Sequence, residues 1–225
     1  MPNFRTHLGI VILGSFIVVL PALAVEPLRK LPTAEPVVAL TFDDGPDPEY
    51  TPQILAILRE KQVKATFFLI GMKVQAEPEL AKQIVTDGHT LGNHSTSHIN
   101  YSWLAMGNLL RDIRDSQLEF KNSVGFFPLY FRPPFGGYKE SQLSTLDKYY
   151  KYVVLWSEDG LDWEKGQTPE EVVQIIEKAL VPGAIFLFHD TNPVIVAALP
   201  QIIEMIESHG YTCVSLGDFF GQSQF

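Results

Sequence analysis

The feature that most constrains the fold of this chain is a regular alternation of short apolar segments with longer amphipathic ones. The strand candidates lie at residues 37–42, 65–70, 90–93, 129–132, 152–156, 184–188 and 212–216, and most of them are near-continuous apolar runs rich in β-branched and aromatic residues. Such runs are typical of strands that are buried on both faces. Between them lie segments with helical spacing, at residues 51–61, 78–86, 103–121, 141–149, 169–180 and 194–208.

Strands that alternate with helices in this way predict an α/β fold with a parallel sheet, closed or nearly closed into a (β/α) barrel. A chain of 225 residues is long enough for one domain with a substantial core. One helix start is well marked, because Thr168 precedes Pro169 and two glutamates. We expect a single catalytic or binding domain over residues 37–225, and a monomer.

The N-terminus has the pattern of an export signal. Residues 8–19 are almost unbroken apolar sequence, preceded by Arg5 and followed by the sequence Ala22-Leu23-Ala24. This predicts a secretory signal peptide over residues 1–24. Because the apolar stretch is marginal for crossing a bilayer, an uncleaved membrane anchor over residues 8–25 stays open as an alternative. Residues 25–36 are predicted to be a linker, and the protein is expected in the cell envelope, in a periplasmic or extracellular position.

Charge and cysteine content exclude some classes of protein. The net charge is −9 and no basic tract is present, so nucleic acid is not an expected partner. The single cysteine, Cys213, cannot form an internal disulfide. We expect it to be a small buried apolar residue in a strand.

Polar residues follow five of the predicted strands. In α/β barrels, chemistry gathers where strands end and the following loops begin. The residues found there are Asp43 and Asp44, His94, Arg132, Asp159, and His189 with Asp190. Their convergence predicts an active site at the carboxyl ends of the strands.

His94 and His98 are spaced to share one metal ion. On a helical turn, residues four apart lie on one face, so both imidazoles can reach a single ion. Two histidines and one carboxylate leave an open coordination position for water, and a second aspartate could act as the base. The zinc-protease pattern fails because Ser95 replaces its glutamate, and the phosphotransfer pattern fails because Asp43 and Asp44 are adjacent.

Two further segments complete the candidate site. The loop from Arg132 to Tyr138 is stiffened by two prolines, and its arginine could clamp Asp43 while the Phe135 N–H faces an oxyanion. His189, beside a carboxylate, is a candidate general acid. Trp163 and Tyr138 are candidates for stacking on sugar rings; ordinary packing is the alternative for both.

Five segments, in this order, resemble the motifs of the polysaccharide deacetylase family, also known as the NodB homology domain or carbohydrate esterase family 4. They are Thr-Phe-Asp-Asp-Gly-Pro at 41–46, His-Ser-Thr-Ser-His at 94–98, Arg-Pro-Pro-Phe-Gly at 132–136, Asp-Gly-Leu-Asp-Trp at 159–163 and Leu-Phe-His at 187–189. The resemblance implies a distorted, TIM-barrel-like (β/α) barrel that removes N-acetyl, and sometimes O-acetyl, groups from polymeric sugars. It also implies one divalent metal ion, commonly zinc, with cobalt, nickel or manganese as alternatives.

The resemblance also implies a role for each matching residue. Asp43 would be the general base, held by Arg132, and His189 the general acid, tuned by Asp162. The metal ligands would be Asp44, His94 and His98, and Leu187 and Trp163 would line the substrate groove. Phe135 stands where the family often has tyrosine, which puts a side-chain contact in doubt.

Export together with this chemistry predicts a deacetylase of an envelope polysaccharide, with peptidoglycan N-acetylglucosamine as the first expectation. A deacetylase of chitin oligomers or other small substrates is the alternative, and a non-catalytic sugar-binding barrel is a third hypothesis. A glycosidase is disfavoured, because it needs two carboxyl groups facing each other ~5 Å or more apart.

Overall fold

The computed structural model describes residues 26–221. The predicted signal peptide at 1–24 and the alternative anchor at 8–25 lie outside these residues. Within the described range, no helix is both long enough and apolar enough to span a bilayer.

In this range the chain forms eight short strands and eight α-helices. The strands are β1 (Val37–Asp43), β2 (Thr66–Leu69), β3 (Thr90–Asn93), β4 (Tyr130–Phe131), β5 (Tyr152–Val153), β6 (Glu158–Asp159), β7 (Ile185–His189) and β8 (Thr212–Cys213). The helices are α1 (Thr51–Glu60), α2 (Gly71–Ala76), α3 (Pro78–Thr86), α4 (Met106–Val124), α5 (Glu140–Leu146), α6 (Pro169–Lys178), α7 (Pro193–Ser208) and α8 (Leu216–Phe219). Two 3₁₀ turns lie at Tyr101–Trp103 and Pro134–Gly136.

The strands form one parallel sheet in the order β5-β4-β3-β2-β1-β7-β6, and β8 pairs with the start of β1. In the described part of the chain no ladder joins β5 to β6, so the sheet curls into a half-barrel that is open along this seam. The α/β fold and the distorted barrel expected from the sequence are therefore confirmed.

Period-two alternation along β1 separates the core from the site. Val38, Leu40 and Phe42 point outward into the main hydrophobic cluster between the sheet and the helices. The other residues of the strand point inward, where Ala39 packs in a separate cluster with Phe68 and Tyr130. Asp43, the last residue of β1, belongs to this inward-pointing series. Its carboxylate therefore lies inside the barrel at the carboxyl ends of the strands.

The lead-in to the domain is attached to the sheet. Leu28 N donates to Val153 O at 2.8 Å, and Lys30 forms a bridge with Ala184 just before β7. Leu31 is buried, with its N–H 2.8 Å from Gly183 O. This part of the predicted 25–36 linker therefore crosses the base of the barrel from β5 towards β7.

Three elements were not predicted from the sequence: β6, α2 and α8. β6 is formed by Glu158–Asp159, which carries no apolar side chain, α2 begins with Gly71 directly after β2, and α8 has only four residues. None of them has the hydrophobic period that identifies a strand or a helix. Cys213 lies in β8 as expected; it is half-buried against the main cluster, and burial raises the pKa of its thiol to about 12.

Candidate active site

The two adjacent aspartates reach one site because the backbone turns between them. Asp43 is the last residue of β1, and Asp44 has a left-handed φ of 74°. The turn is packed against Asp190 at the end of β7, whose N–H lies 3.2 Å from Asp43 O. Gly45 is required there, because a Cβ at this position would lie 2.1 Å from Asp190 Oδ2.

Asp44, His94 and His98 form the one cluster in residues 26–221 whose donor atoms could hold a metal ion. Asp44 Oδ1 lies 3.1 Å from His98 Nε2 and 3.4 Å from His94 Nε2. This oxygen is buried without a hydrogen bond of good geometry among the described residues. Burial raises the pKa of Asp44, but the neighbouring histidines outweigh it and lower the pKa to about 2. The cluster therefore offers an ionised carboxylate and two imidazoles, a donor set that suits zinc.

The predicted helical turn at 94–98 is wrong in detail. The segment is a tight loop in which Ser95 and His98 have φ values of 69° and 59°. Asn93 Oδ1 accepts from Ser95 N at 2.8 Å, and Ser95 Oγ accepts from His98 N at 2.9 Å. These local hydrogen bonds replace the helical ones and still bring the two imidazoles together, with ring centroids 5.1 Å apart.

The state of each histidine ring follows from its surroundings. His94 Nδ1 lies 2.7 Å from Arg132 O, a carbonyl that can only accept a hydrogen bond. The proton is therefore on Nδ1, and the Nε2 lone pair faces the cluster. Burial lowers the pKa of His98, which also favours a neutral ring with a free lone pair.

Asp43 is fixed by a fully buried arginine. Arg132 Nη1 donates to Asp43 Oδ1 at 2.7 Å and to Thr41 Oγ1 at 2.8 Å, and its Nη2 donates to Leu155 O at 3.0 Å. The guanidinium carbon lies 4.1 Å from the centroid of the Phe68 ring. Because Asp43 Oδ1 accepts the hydrogen bond from Arg132, Oδ2 is the oxygen that faces the cavity, where it lies 3.6 Å from His94 Nε2.

His189 is paired with a buried carboxylate. Its Nδ1 lies 3.0 Å from Asp162 Oδ1, and Asp162 Oδ2 accepts from His189 N and from Asn192 Nδ2, each at 2.9 Å. Burial lowers the pKa of His189, but the hydrogen bond and charge of Asp162 outweigh it and raise the pKa to about 9. The ring is therefore protonated at neutral pH and can donate a proton.

These groups share one cavity of about 550 Å³. It is lined by Asp43, Asp44, His94, His98, Phe135, Trp156, Asp159, Trp163, Leu187, His189, Thr191 and Asn192. Phe135 has a φ of 59°, is 65% exposed and places its ring 4.4 Å from that of His98. Trp163 is 57% exposed, and its Nε1 lies 3.3 Å from both carboxylate oxygens of Asp159.

Tyr138 is not brought to this cavity. It is half-buried against a second hydrophobic cluster that includes Tyr101 and Leu143. The turn at Gly136, with a φ of 63°, and the close approach of Gly137 to Asn100 carry the loop away from the site. The alternative of ordinary packing is therefore the better description of Tyr138.

The sequence analysis missed three residues that line the cavity: Trp156, Thr191 and Asn192. Asn192 holds Asp162 and also caps α7, since its Oδ1 accepts from Val194 N and Ile195 N. An asparagine directly before Pro193 is a recognisable helix start and could have identified it. Trp156 carries no such signal, because nothing local distinguishes it from a core residue.

The chain is similar to known proteins in sequence and in fold. The profile of the polysaccharide deacetylase family matches residues 30–154. A peptidoglycan-N-acetylglucosamine deacetylase of Bacillus cereus is 38% identical over 194 residues, which are 84% of this chain and 90% of that protein.

Solved structures show the same similarity. A peptidoglycan N-acetylglucosamine deacetylase in complex with an N-oxidanyl-benzamide compound superposes with a TM-score of 0.83 at 34% identity, over 88% of this chain and 94% of that one. A carbohydrate esterase family 4 pseudoenzyme from Bacillus anthracis superposes with a TM-score of 0.81 at 28% identity, over 86% and 68% of the two chains. The fold, the sequence profile and these relatives confirm the expected class of enzyme, and the chain belongs to the polysaccharide deacetylase family.

Proposed function

We propose that this protein removes the N-acetyl group from N-acetylglucosamine units of peptidoglycan and releases acetate. The observation that carries the proposal is the meeting, in one cavity, of an arginine-held aspartate, a His₂Asp cluster and a protonated histidine. The relatives described above support peptidoglycan as the substrate class.

A single divalent metal, for which we propose zinc, would be held by Asp44, His94 and His98. When bound there, it would polarise the amide carbonyl and make a water molecule more acidic. Cobalt, nickel and manganese are the alternatives that the same ligands admit.

The remaining steps belong to side chains of the protein. Asp43 Oδ2 takes a proton from the attacking water, while Arg132 holds the carboxylate in place through its Oδ1. The Phe135 N–H stabilises the oxyanion of the tetrahedral intermediate. His189, protonated and oriented by Asp162, gives its proton to the departing amine. Trp163 and Leu187 form the walls against which the sugar ring packs.

We further propose that the protein acts in the cell envelope as a monomer. Residues 1–24 would be a signal peptide, with an anchor over residues 8–25 as the alternative, and the catalytic domain would span residues 37–225. The envelope position of the proposed substrate supports this assignment.

Acetate release from purified peptidoglycan and from chitin oligomers, with and without a chelator, tests the function. We expect release from peptidoglycan that the chelator abolishes and zinc restores. Faster release from chitin oligomers would assign the protein to small soluble substrates instead.

The similarity to a pseudoenzyme keeps a non-catalytic sugar-binding barrel as the second candidate. The two candidates differ in turnover, since both could bind the polymer. No acetate from either substrate, together with no bound metal, would favour the sugar-binding barrel, whereas no acetate with the metal bound would indicate a polymer other than these two.

A further inference from the structure

A second groove, of about 700 Å³, lies on the flank of the domain between α4 and the loop that precedes β5. We name it the α4 groove and define it by three apolar residues, Leu110, Leu118 and Phe127, and three basic ones, Arg111, Arg114 and Lys148. It shares no residue with the catalytic cavity. The question is what such a surface would bind.

Its apolar side chains are unusually open to solvent. Leu110 is 39% exposed, Leu118 46% and Phe127 51%, and Tyr149 beside them is 47% exposed. Leu110, Arg114 and Leu118 follow one another along α4 at intervals of four residues, and Arg111 lies three residues before Arg114, so the four side chains share one side of this helix. A helix face that combines exposed leucines with arginines is typical of segments that lie on a membrane surface.

The charge around the groove is positive, although the protein as a whole carries −9. Arg111 and Lys148 form no ion pair within residues 26–221, whereas Arg114 is paired with Asp115 at 2.6 Å. Lys121 adds a further charge, with its Nζ 5.6 Å from the centroid of the Phe127 ring. The loop that precedes β5 contributes one acidic residue, Asp147. The surplus of cations complements an anionic surface.

The groove also lies near the point where the chain enters the domain. Leu28 runs parallel to Val154 beside β5, so the chain before it comes from the amino end of that strand. Tyr149 and Lys148 directly precede this end of β5. The catalytic residues lie at the opposite, carboxyl ends of the strands, where Asp43 and His189 end β1 and β7.

Only a short stretch of chain separates the apolar N-terminal run from the start of the described residues. The run at residues 8–19 is separated from Glu26 by six residues. Six residues span at most about 20 Å when fully extended. If the run is retained in a bilayer, the entry end of the domain is therefore held close to the lipid headgroups.

We propose that the α4 groove docks the domain on an anionic phospholipid membrane, with the catalytic cavity facing away from the bilayer. The apolar side chains enter the headgroup region, and Arg111, Arg114 and Lys148 contact lipid phosphates. This orientation does not depend on the proposed reaction or on its substrate.

Partitioning of the full chain onto lipid vesicles tests the proposal. The vesicles contain either phosphatidylcholine alone or phosphatidylcholine with phosphatidylglycerol, at low and high salt. The full chain should prefer the anionic vesicles, and salt should weaken the preference. The triple variant Arg111→Glu, Arg114→Glu, Lys148→Glu should lower that preference by about tenfold or more.

A matched control reverses three exposed lysines elsewhere, Lys82→Glu, Lys165→Glu and Lys178→Glu, with the same change in net charge. It should keep most of the preference for anionic vesicles. Equal losses in the two triple variants would overturn the proposal, because they would reflect net charge alone. Thermal unfolding of both variants establishes that each is folded.

A second variant tests the apolar part of the groove. Leu118→Ser with Phe127→Ser should weaken partitioning onto neutral and anionic vesicles alike, by several-fold. Unchanged partitioning of both groove variants would overturn the proposal. If the groove variants lose binding to isolated wall polymer but still bind vesicles, the groove would be assigned to an acidic polysaccharide. That result would also overturn the membrane proposal.

Discussion

Asp43 and Asp44 are neighbours in the chain, yet their surroundings differ. Asp43 is bound through Oδ1 to a buried guanidinium, whereas Asp44 projects Oδ1 between two imidazoles. In the proposed mechanism, the environment of each carboxylate, rather than the residue type, makes Asp43 the base and Asp44 a metal ligand. The Asp-Asp pair by itself could not reveal this division, because it depends on Arg132 and His98, which are distant in the sequence.

Replacing Asp43 and His94 should separate turnover from metal binding. Asp43→Asn should keep the metal but lower kcat by about 10²-fold or more, because a general base is lost. His94→Ala should instead lose the metal, because one of three ligands is gone. Acetate release and metal content per chain measure the two effects. Full turnover in Asp43→Asn, or full metal content in His94→Ala, would contradict these assignments.

The pairing of His189 with Asp162 should be visible in the pH dependence of the reaction. A general acid must be protonated, so activity falls as the pH rises through the pKa of His189, which is about 9. Asp162→Asn removes the charge that raises this pKa. The basic limb of the kcat profile should therefore move to lower pH.

An NMR titration of His189 in metal-free protein gives a readout that is independent of turnover. Asp115→Asn, which removes an exposed carboxylate paired with Arg114, is the control and should move neither the titration nor the profile. An unshifted basic limb in Asp162→Asn would mean that another group sets it.

At the scale of elements, the turn after β1 depends on the end of β7. Gly45→Ala would place a Cβ 2.1 Å from Asp190 Oδ2, and Asp190 is fully buried and cannot withdraw. We expect a loss of about 1–3 kcal/mol in the free energy of unfolding, the usual cost of overpacking. Denaturant unfolding measures it. In a background of Asp190→Ala the same glycine substitution should cost less, and equal costs in both backgrounds would refute the contact.

Asp190 should also make the stability of the fold depend on pH. Burial raises its pKa to about 7, although the hydrogen bond from Thr51 Oγ1, at 2.5 Å, opposes the shift. The folded state therefore binds the proton more tightly than the unfolded state, whose carboxyl has a pKa near 3.9. The contribution of Asp190 to the free energy of unfolding is therefore largest at low pH, and it is lost as the pH rises from about 4 to about 7.

Asp190→Asn carries no such proton. Its free energy of unfolding, relative to the unsubstituted protein, should rise across the same pH interval by up to about 4 kcal/mol. Denaturant unfolding at several pH values gives this difference. A difference that does not change with pH would show that Asp190 has an ordinary pKa.

The sequence predicts an element when the residues of that element alone carry its pattern, such as an apolar run or a helix cap. β1, β2 and β7 were recognised because each is a buried apolar run, and α6 because Thr168 precedes Pro169 and two glutamates. β6 was missed because its Glu158–Asp159 pairing depends on β7. The path of the 94–98 loop was missed because hydrogen bonds from Asn93 and Ser95, rather than helical periodicity, determine it.

For the molecule as a whole, the proposed metal site would make the stability of the fold depend on the same ion as the proposed reaction. Its ligands come from the end of β1 and from the loop after β3, so a bound ion would join two parts of the sheet. An ion that binds only the folded state stabilises it. Zinc at a hundred times its Kd should raise the Tm by about 5–10 °C.

Thermal unfolding with zinc and with a chelator measures this shift. His98→Ala, which removes one ligand, should show a much smaller increase in Tm. An equal increase in this variant would mean that zinc stabilises the protein from another site.

Because β1 has one face towards the core and one towards the cavity, it tolerates few insertions or deletions. Because neighbouring residues of a strand point to opposite sides, one residue inserted between Val38 and Phe42 would exchange the two faces. The carboxylate of Asp43 would then point towards the helices, and a phenylalanine would point towards the cavity. Insertions and deletions in β1 should therefore be eliminated by selection.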